Sequence, residues 1–248
     1  MPDLLSFDVA IFLCGTLAAA FVTGLAGFAF GMVAAAVWVY ALTPPQVPTL
    51  IAAYALLVQG YAVWKLRHLL DWHRLMPFIV GSAIGIPAGI MALRWASPAQ
   101  FRIGVGALLI LFSLYNLLRP KMPEMKQAGG GADAAIGVLN GVIGGSTGLA
   151  GIVTVIWTGM RGWSRDEQRA VFQPTGVASF LMILVAFGGT GVITRETLRL
   201  FLIGLPALAF GTWLGWVLYG KLDESAFRRI VLVLLLISGV TLIASAWR

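Results

Sequence analysis

Long apolar stretches alternate along the chain with short polar or glycine-rich breaks. Ten segments stand out, at about 7–23, 27–42, 48–64, 75–93, 101–118, 134–147, 149–160, 170–187, 199–219 and 229–247. A membrane-crossing helix needs about 20 apolar residues, and most segments approach that length, whereas the sixth and seventh are short. The pattern predicts an all-α integral membrane protein with about 8–10 spans. Segments one and two, and likewise six and seven, either cross fully or form re-entrant hairpins.

One glycine-broken apolar segment occurs twice, at residues 23–31 and 140–148. A shift of 117 positions places Gly24, Gly27 and Gly31 on Gly141, Gly144 and Gly148. A helix disfavours glycine by about 1 kcal/mol relative to alanine. Broken backbone survives at membrane depth only where protein or an aqueous cavity surrounds it. Paired interruptions in two halves of a chain are typical of a transporter's substrate site.

A second repeat defines two halves of the chain. The glycines at 85 and 89 match those at 211 and 215 with an offset of 126. We therefore predict two inverted repeats of five segments, 1–118 and 134–248, joined by a Pro/Gly-rich linker at 119–133. Both would belong to one transmembrane domain, with the glycine-broken segments meeting near the membrane midplane. The four-residue spacing of glycines 81, 85 and 89 favours helix packing instead.

Basic residues predict the orientation in the membrane. If the segments alternate, 12 of the 17 Lys and Arg residues fall on the side that carries the linker, and 5 on the other. Positively charged loops stay cytoplasmic, so the linker should be cytoplasmic and both termini periplasmic in a bacterial inner membrane. The net charge of +7 then reflects topology and anionic lipid, not nucleic-acid binding. The composition, 59% hydrophobic and 11% charged, agrees with a membrane protein.

The distribution of acidic residues favours an anionic substrate. None of the ten Asp and Glu residues lies well inside a predicted segment, which argues against a cation substrate and a carboxylate proton relay. Backbone N–H groups at helix N-termini attract anions, and glycine allows close approach. Tight helix packing is the alternative interpretation of the same glycines. The predicted substrate-binding residues are Thr23, Gly24, Gly27 and Phe28 in the first segment, Asn140, Gly141, Gly144, Gly145, Ser146 and Thr147 in the second, and Gln173 before a helix-breaking proline.

Other polar and aromatic residues predict no cofactor, metal site or catalytic group. Cys14 is the single cysteine, and neither histidine lies in an apolar segment. The tryptophans near segment ends, Trp38 among them, are expected to be interfacial anchors, although Trp38 or Trp157 could instead gate the site. The expected partners are a small anion and the lipid bilayer, and a homodimer is compatible with the sequence. An anion channel, a transporter of another small anion, and a membrane-embedded enzyme or assembly factor remain as alternatives.

The duplicated Gly-x-x-Gly-x-x-x-Gly breaks, the length near 250 residues and the small polar linker resemble the sulfite exporter TauE/SafE (TSUP) family. The resemblance covers essentially the whole chain. It implies a secondary transporter that exports small sulfur-containing anions such as sulfite, sulfoacetate or related sulfonates.

Overall fold

The protein is all-helical in the part of the chain that the structure, a computed structural model, describes: residues 7–26, 29–65, 70–118, 125, 128–221 and 223–247. Each helix lies within a few residues of a predicted segment, which confirms the fold class. Ten helices lie in those ranges: α1 (Phe7–Ala26), α2 (Phe30–Trp38), α3 (Gln46–Lys65), α4 (Trp72–Trp95), α5 (Pro98–Leu118), α6 (Gly130–Thr147), α7 (Ile152–Met160), α8 (Arg165–Gly189), α9 (Arg195–Leu218) and α10 (Glu224–Ser245).

Six of the described helices are long and apolar enough to cross a membrane: α1, α4, α5, α8, α9 and α10. The helix α3 contributes a shorter apolar stretch, Gln46–Gly60. The helices α2 and α7 have nine residues each, and at 1.5 Å per residue each extends only about 13 Å, less than half of a bilayer core. The protein is therefore a multi-pass membrane protein in which two of the predicted segments are too short to cross.

The helices form two compact units, and neither coincides with a half of the sequence. The first unit comprises Met1–Ile51, Ala96–Pro120 and Thr194–Arg248, and holds α1, α2, α5, α9, α10 and the start of α3. The second comprises Ala52–Trp95 and Lys121–Ile193, and holds the rest of α3 with α4, α6, α7 and α8. Each unit thus combines helices from both halves of the chain.

Glycines place two helix pairs in backbone contact. In the second unit, α4 and α6 approach so closely that a Cβ at Gly85 would collide with the carbonyl oxygen of Val138. In the first unit, a Cβ at Gly24 on α1 would lie 2.5 Å from the carbonyl oxygen of Thr212 on α9, and one at Gly215 would lie 2.6 Å from that of Phe21. These small-residue contacts are the usual means of close helix packing in membranes.

The two close pairs are equivalent under the sequence repeat. The offset of 117 relates α1 to α6, and the offset of 126 relates α4 to α9. The structure pairs α1 with α9 and α6 with α4, so the first helix of each half packs against the fourth helix of the other half. The packing role expected for glycines 81, 85 and 89 is confirmed, because all three face the α6 backbone.

Replacing Gly85 by valine should unfold or severely destabilise the protein, because its Cβ would displace the α6 backbone. Overpacking of this kind costs about 1–3 kcal/mol or more. The matched control is Gly104→Val on α5, where an added Cβ meets nothing within 4 Å. Thermal unfolding of both variants in detergent measures the difference, and equal midpoints would contradict the close α4–α6 contact.

Candidate functional site

The second glycine-broken segment is the chain reversal between α6 and α7. The helix α6 ends at Thr147, and α7 begins at Ile152. Gly148 (φ 77°) and Gly151 (φ 104°) adopt the left-handed conformation. Glycine takes this conformation without the steric cost that a Cβ imposes on other residues. The Gly148 N–H donates to the Gly144 carbonyl at 2.8 Å and closes the last turn of α6. The predicted helix break is therefore present at this segment.

The helices α6 and α7 form an antiparallel hairpin, because the start of one contacts the end of the other. The indole Nε1 of Trp157, near the end of α7, donates to Asp133 Oδ1 in the first turn of α6 at 2.6 Å. The Met125 N–H donates to the Met160 carbonyl at 2.8 Å, joining the chain that precedes α6 to the end of α7. This geometry is that of the re-entrant hairpin, one of the two forms expected for these segments.

Asn140 holds the reversal in place. Its side chain, in a residue only 1% exposed, accepts a hydrogen bond at Oδ1 from the Gly151 N–H at 2.5 Å. Its Nδ2 donates to Ser82 Oγ on α4 at 3.2 Å and to Ser179 Oγ on α8 at 3.3 Å. The Asn140 amide thus joins the turn to α4 and α8. Protein atoms engage both its oxygen and its nitrogen.

Ser146 and Thr147 lie at the reversal, with hydroxyl groups bonded to their own helix. Ser146 Oγ donates to the Val142 carbonyl at 2.8 Å, and Thr147 Oγ1 donates to that of Ile143 at 2.7 Å. Thr147 Oγ1 also accepts from the Leu149 N–H at 3.2 Å. Because these hydroxyl protons are occupied, the donors available to an anion at the turn are backbone N–H groups.

The predicted glycines of α6 face two different neighbours. A Cβ at Gly141 would collide with the Ser82 carbonyl on α4, and one at Gly145 would lie 2.5 Å from that of Ile86. A Cβ at Gly144 would instead lie 2.8 Å from the Cβ of Ala150, in the reversal. Gly141 and Gly145 therefore allow α6 to contact α4, and Gly144 allows the turn to fold against α6.

The N-terminus of α7 carries peptide donors that no side chain caps. Its N-cap, Gly151, makes no side-chain cap hydrogen bond, and the first intrahelical bond runs from the Val155 N–H to the Gly151 carbonyl. The N–H groups of residues 152–154 therefore have no partner within the helix, and the helix dipole favours an anion there. Thr154, which the sequence did not single out, lies in this first turn, 0% exposed, with its Oγ1 buried and without a partner.

The first glycine-broken segment lies between α1 and α2, and the structure describes part of it. Thr23 Oγ1 donates to the Ala19 carbonyl at 2.9 Å, and Gly24 packs against α9 as described above. Gly27 and Phe28 lie outside the described residues. Ala29 adopts the left-handed conformation with φ 74° before α2 begins, so this segment also breaks the helix.

In each of the pairs α1–α2 and α6–α7, a tryptophan near the end of the short helix bonds to the first part of the long helix. Trp38 Nε1 donates to the Phe12 carbonyl of α1 at 3.1 Å, much as Trp157 donates to Asp133. Gly15 makes room for this ring, since a Cβ there would lie 2.9 Å from the indole Nε1. Trp38 is 0% exposed, so the prediction that it is an interfacial anchor is wrong. An aromatic belt residue needs contact with the headgroup region, and this indole is satisfied inside the protein.

The base of the α6–α7 hairpin carries a buried ion pair. Arg161 lies 3.5 Å from Asp133 Oδ2, and their side chains are 11% and 7% exposed. Arg161 also donates to the Met125 and Ala128 carbonyls. The sequence placed Asp133 at the end of the predicted linker, 119–133, whereas the structure places it buried in the first turn of α6. Its partner Arg161 is 28 residues away, so no local pattern could predict the pair.

Gln173 lies on α8 and leaves its Oε1 buried without a partner. Gln59 of α3 reaches the same helix, since a Cβ at Gly176 would lie 3.4 Å from Gln59 Oε1. The structure thus places Gln59 and Gln173 at α8 within the second unit. The unpartnered atom is an acceptor and cannot bond to the acceptor oxygens of an anion, so the predicted contact of Gln173 with substrate stays a prediction.

The second unit therefore brings together the chain reversal, Asn140, Ser146, Thr147 and the uncapped end of α7. Thr23 and Gly24 belong to the first unit, so the predicted meeting of the two glycine-broken segments stays a prediction. Thr154 could have been found by looking for a hydroxyl residue in the first turn after the break.

The family comparison supports a transporter. A family model described as sulfite exporter TauE/SafE matches residues 11–242, nearly the whole chain. This protein belongs to the TauE/SafE family. Neither the search of curated proteins nor that of solved structures gave a match. Six apolar helices in the described part of the chain are suited to crossing a membrane. As a TauE/SafE protein, the chain is a membrane transporter for sulfur-containing anions in general.

Replacing Asn140 by alanine should destabilise this TauE/SafE protein by about 1–3 kcal/mol, because the partly buried Gly151 N–H loses its acceptor. Ser179→Ala is the graded control, since it removes one of two acceptors of the Asn140 Nδ2 and leaves the bond to Gly151 intact. Thermal unfolding and sulfite binding of the purified variants measure the effect. Equal losses in both variants would show that the bond to Gly151 has no special role.

Proposed function

We propose that this protein is a secondary transporter that exports small sulfur-containing anions, such as sulfite, sulfoacetate or related sulfonates, across the bacterial inner membrane. The observation that carries the proposal is the uncapped N-terminus of α7 at a glycine-formed chain reversal. Uncapped peptide N–H groups and the helix dipole recognise negative charge without any cationic side chain. The family membership supplies the sulfur-anion class.

The anion would bind at the α6–α7 reversal. The N–H groups of residues 152–154 and the unpartnered Thr154 hydroxyl supply donors, while Asn140 holds the turn. Gln173 would contact a polar group of the substrate. In the predicted arrangement, Thr23, Gly24, Gly27 and Phe28 of the first segment complete the binding site.

The charges of the described residues favour anion transport without a coupling ion over cation-coupled transport. Asp133 is the buried carboxylate among them, and Trp157 and Arg161 already engage it. A membrane potential of about 100 mV, negative inside, favours exit of one negative charge by about 2.3 kcal/mol. This corresponds to roughly a fiftyfold concentration ratio, so a monoanion needs no coupling ion for export.

Sulfite flux in proteoliposomes should follow an imposed membrane potential and ignore a sodium gradient. The physical reason is that a single negative charge crosses without a co-transported cation. Purified protein is reconstituted, the potential is set with a potassium gradient and valinomycin, and sulfite is measured over time. Sulfate, thiosulfate and sulfoacetate serve as competing anions.

Saturation with substrate concentration and stimulation by counterflow would identify a carrier. Flux that followed sodium and ignored the potential would contradict the proposal. Linear flux without counterflow would identify the anion channel instead.

A further inference from the structure

The N-terminus of α7 lies at mid-height of the long helices beside it. Asn140, which accepts the Gly151 N–H, donates to Ser82 of α4 and Ser179 of α8. Each serine lies at least ten residues from either end of its own helix. At 1.5 Å per residue this is about 15 Å, half the thickness of a bilayer core. An anion at this end of α7 is therefore far from both headgroup layers.

In the described part of the second unit, no charged side chain lies at this height. Residues 140–160, which hold the reversal and all of α7, contain no Lys, Arg, His, Asp or Glu. The same is true of residues 46–64 in α3, 75–93 in α4 and 170–187 in α8. The donors that face an anion here are therefore neutral groups.

The nearest charges along these helices lie at the base of the hairpin and are paired with one another. Asp133 and Arg161 form the buried ion pair, and Arg74 on α4 lies 2.8 Å from Glu167 on α8. Asp133 is seven residues from Asn140, about 10 Å along α6. The other acidic, basic and histidine side chains described on α4 and α8 lie farther along from Ser82 or Ser179: His73, Arg94, Asp166 and Arg169. No net charge of either sign therefore adjoins the reversal among the described residues.

Neutral donors discriminate between an anion with one charge and an anion with two. The attraction of N–H dipoles for an anion rises in proportion to its charge, whereas the cost of removing the anion from water rises with the square of the charge. A dianion thus gains about twice the attraction of a monoanion of equal size, at about four times the dehydration cost. Phosphate sites commonly add Arg or Lys to offset this cost.

The donors at the reversal suit one sulfonate or hydrogensulfite group. The N–H groups of residues 152–154 have no partner within α7, and the buried Thr154 Oγ1 has no partner either. Space adjoins the N-cap, since a Cβ at Gly151 would meet nothing within 4 Å. The oxygens on a single sulfur atom offer several acceptors to these donors while the group carries one charge.

We propose that the N-terminus of α7 selects anions with a single charge: hydrogensulfite, the protonated form of sulfite, and sulfonates without a second ionised group. This inference rests on the proposed function, because it concerns the same site. The sulfite dianion and sulfate bind more weakly, and so does sulfoacetate, whose carboxylate carries a second charge. One charge per substrate also agrees with export driven by the membrane potential.

Sulfoacetate and its amide, sulfoacetamide, provide the matched test. The two ligands have the same sulfonate and nearly the same size, but they carry two charges and one. Calorimetry on the purified full-length protein in detergent measures both affinities. Sulfoacetamide should bind about tenfold more tightly or more, because it avoids the dehydration of a second charge. Thr154→Val should weaken its binding, and Thr158→Val, whose lost hydroxyl donated to its own helix, should not.

The affinity for sulfite should depend on pH through the ligand itself. The second pKa of sulfurous acid lies near neutrality, and above it each further pH unit lowers the hydrogensulfite fraction about tenfold. The affinity calculated from total sulfite should fall by the same factor. Methanesulfonate remains a monoanion throughout this range, so its affinity should stay constant and serves as the control for effects of pH on the protein.

Equal affinities for sulfoacetate and sulfoacetamide, or a sulfite affinity as constant with pH as that of methanesulfonate, would overturn the inference. Both results leave the proposed function intact, since the anions still bind. A preference for one charge that occurs while Thr154→Val binds like the unaltered protein would place the selection elsewhere and also overturn the inference. Failure of all these sulfur anions to bind would contradict the proposed function itself, and the inference with it.

Discussion

A helix that stops inside a bilayer leaves peptide groups that no water can satisfy, and the α6–α7 reversal depends on solving this problem. Asn140 solves part of it by accepting the Gly151 N–H and donating to serines on α4 and α8. The peptide donors of the next turn stay uncapped. One amide therefore stabilises the reversal, while the donors that remain form the anion-attracting end of α7.

The glycines have two separate functions. On α4 and α6, as on α1 and α9, they allow backbones to touch and pair the first helix of one half with the fourth of the other. At Gly148 and Gly151 they allow left-handed backbone at the reversal. Binding and packing were alternative interpretations of the same sequence motif, and the structure assigns Gly141 and Gly145 to packing contacts and Gly148 to the break.

Sequence periodicity was sufficient to predict the ten helices, the duplicated breaks and the family, because apolar length and glycine spacing are local signals. It could not predict that Asp133 is buried with Trp157 and Arg161, since those partners become neighbours only when the hairpin closes. It likewise placed Trp38 at the interface, because nothing local shows that Gly15 opens a space for the indole. Thr154 was missed because a threonine in an apolar helix usually bonds to its own backbone.

The affinity of the purified protein for sulfite, measured by calorimetry for Thr154→Val and Thr158→Val, tests the anion site most directly. Both threonines are fully buried on α7, but Thr158 Oγ1 already donates to the Val155 carbonyl, whereas Thr154 Oγ1 has no partner. Thr154→Val should weaken binding about tenfold or more, through one lost hydrogen bond to a charged group, and Thr158→Val should bind like the unaltered protein. Unchanged affinity in Thr154→Val would contradict binding at the α7 N-terminus.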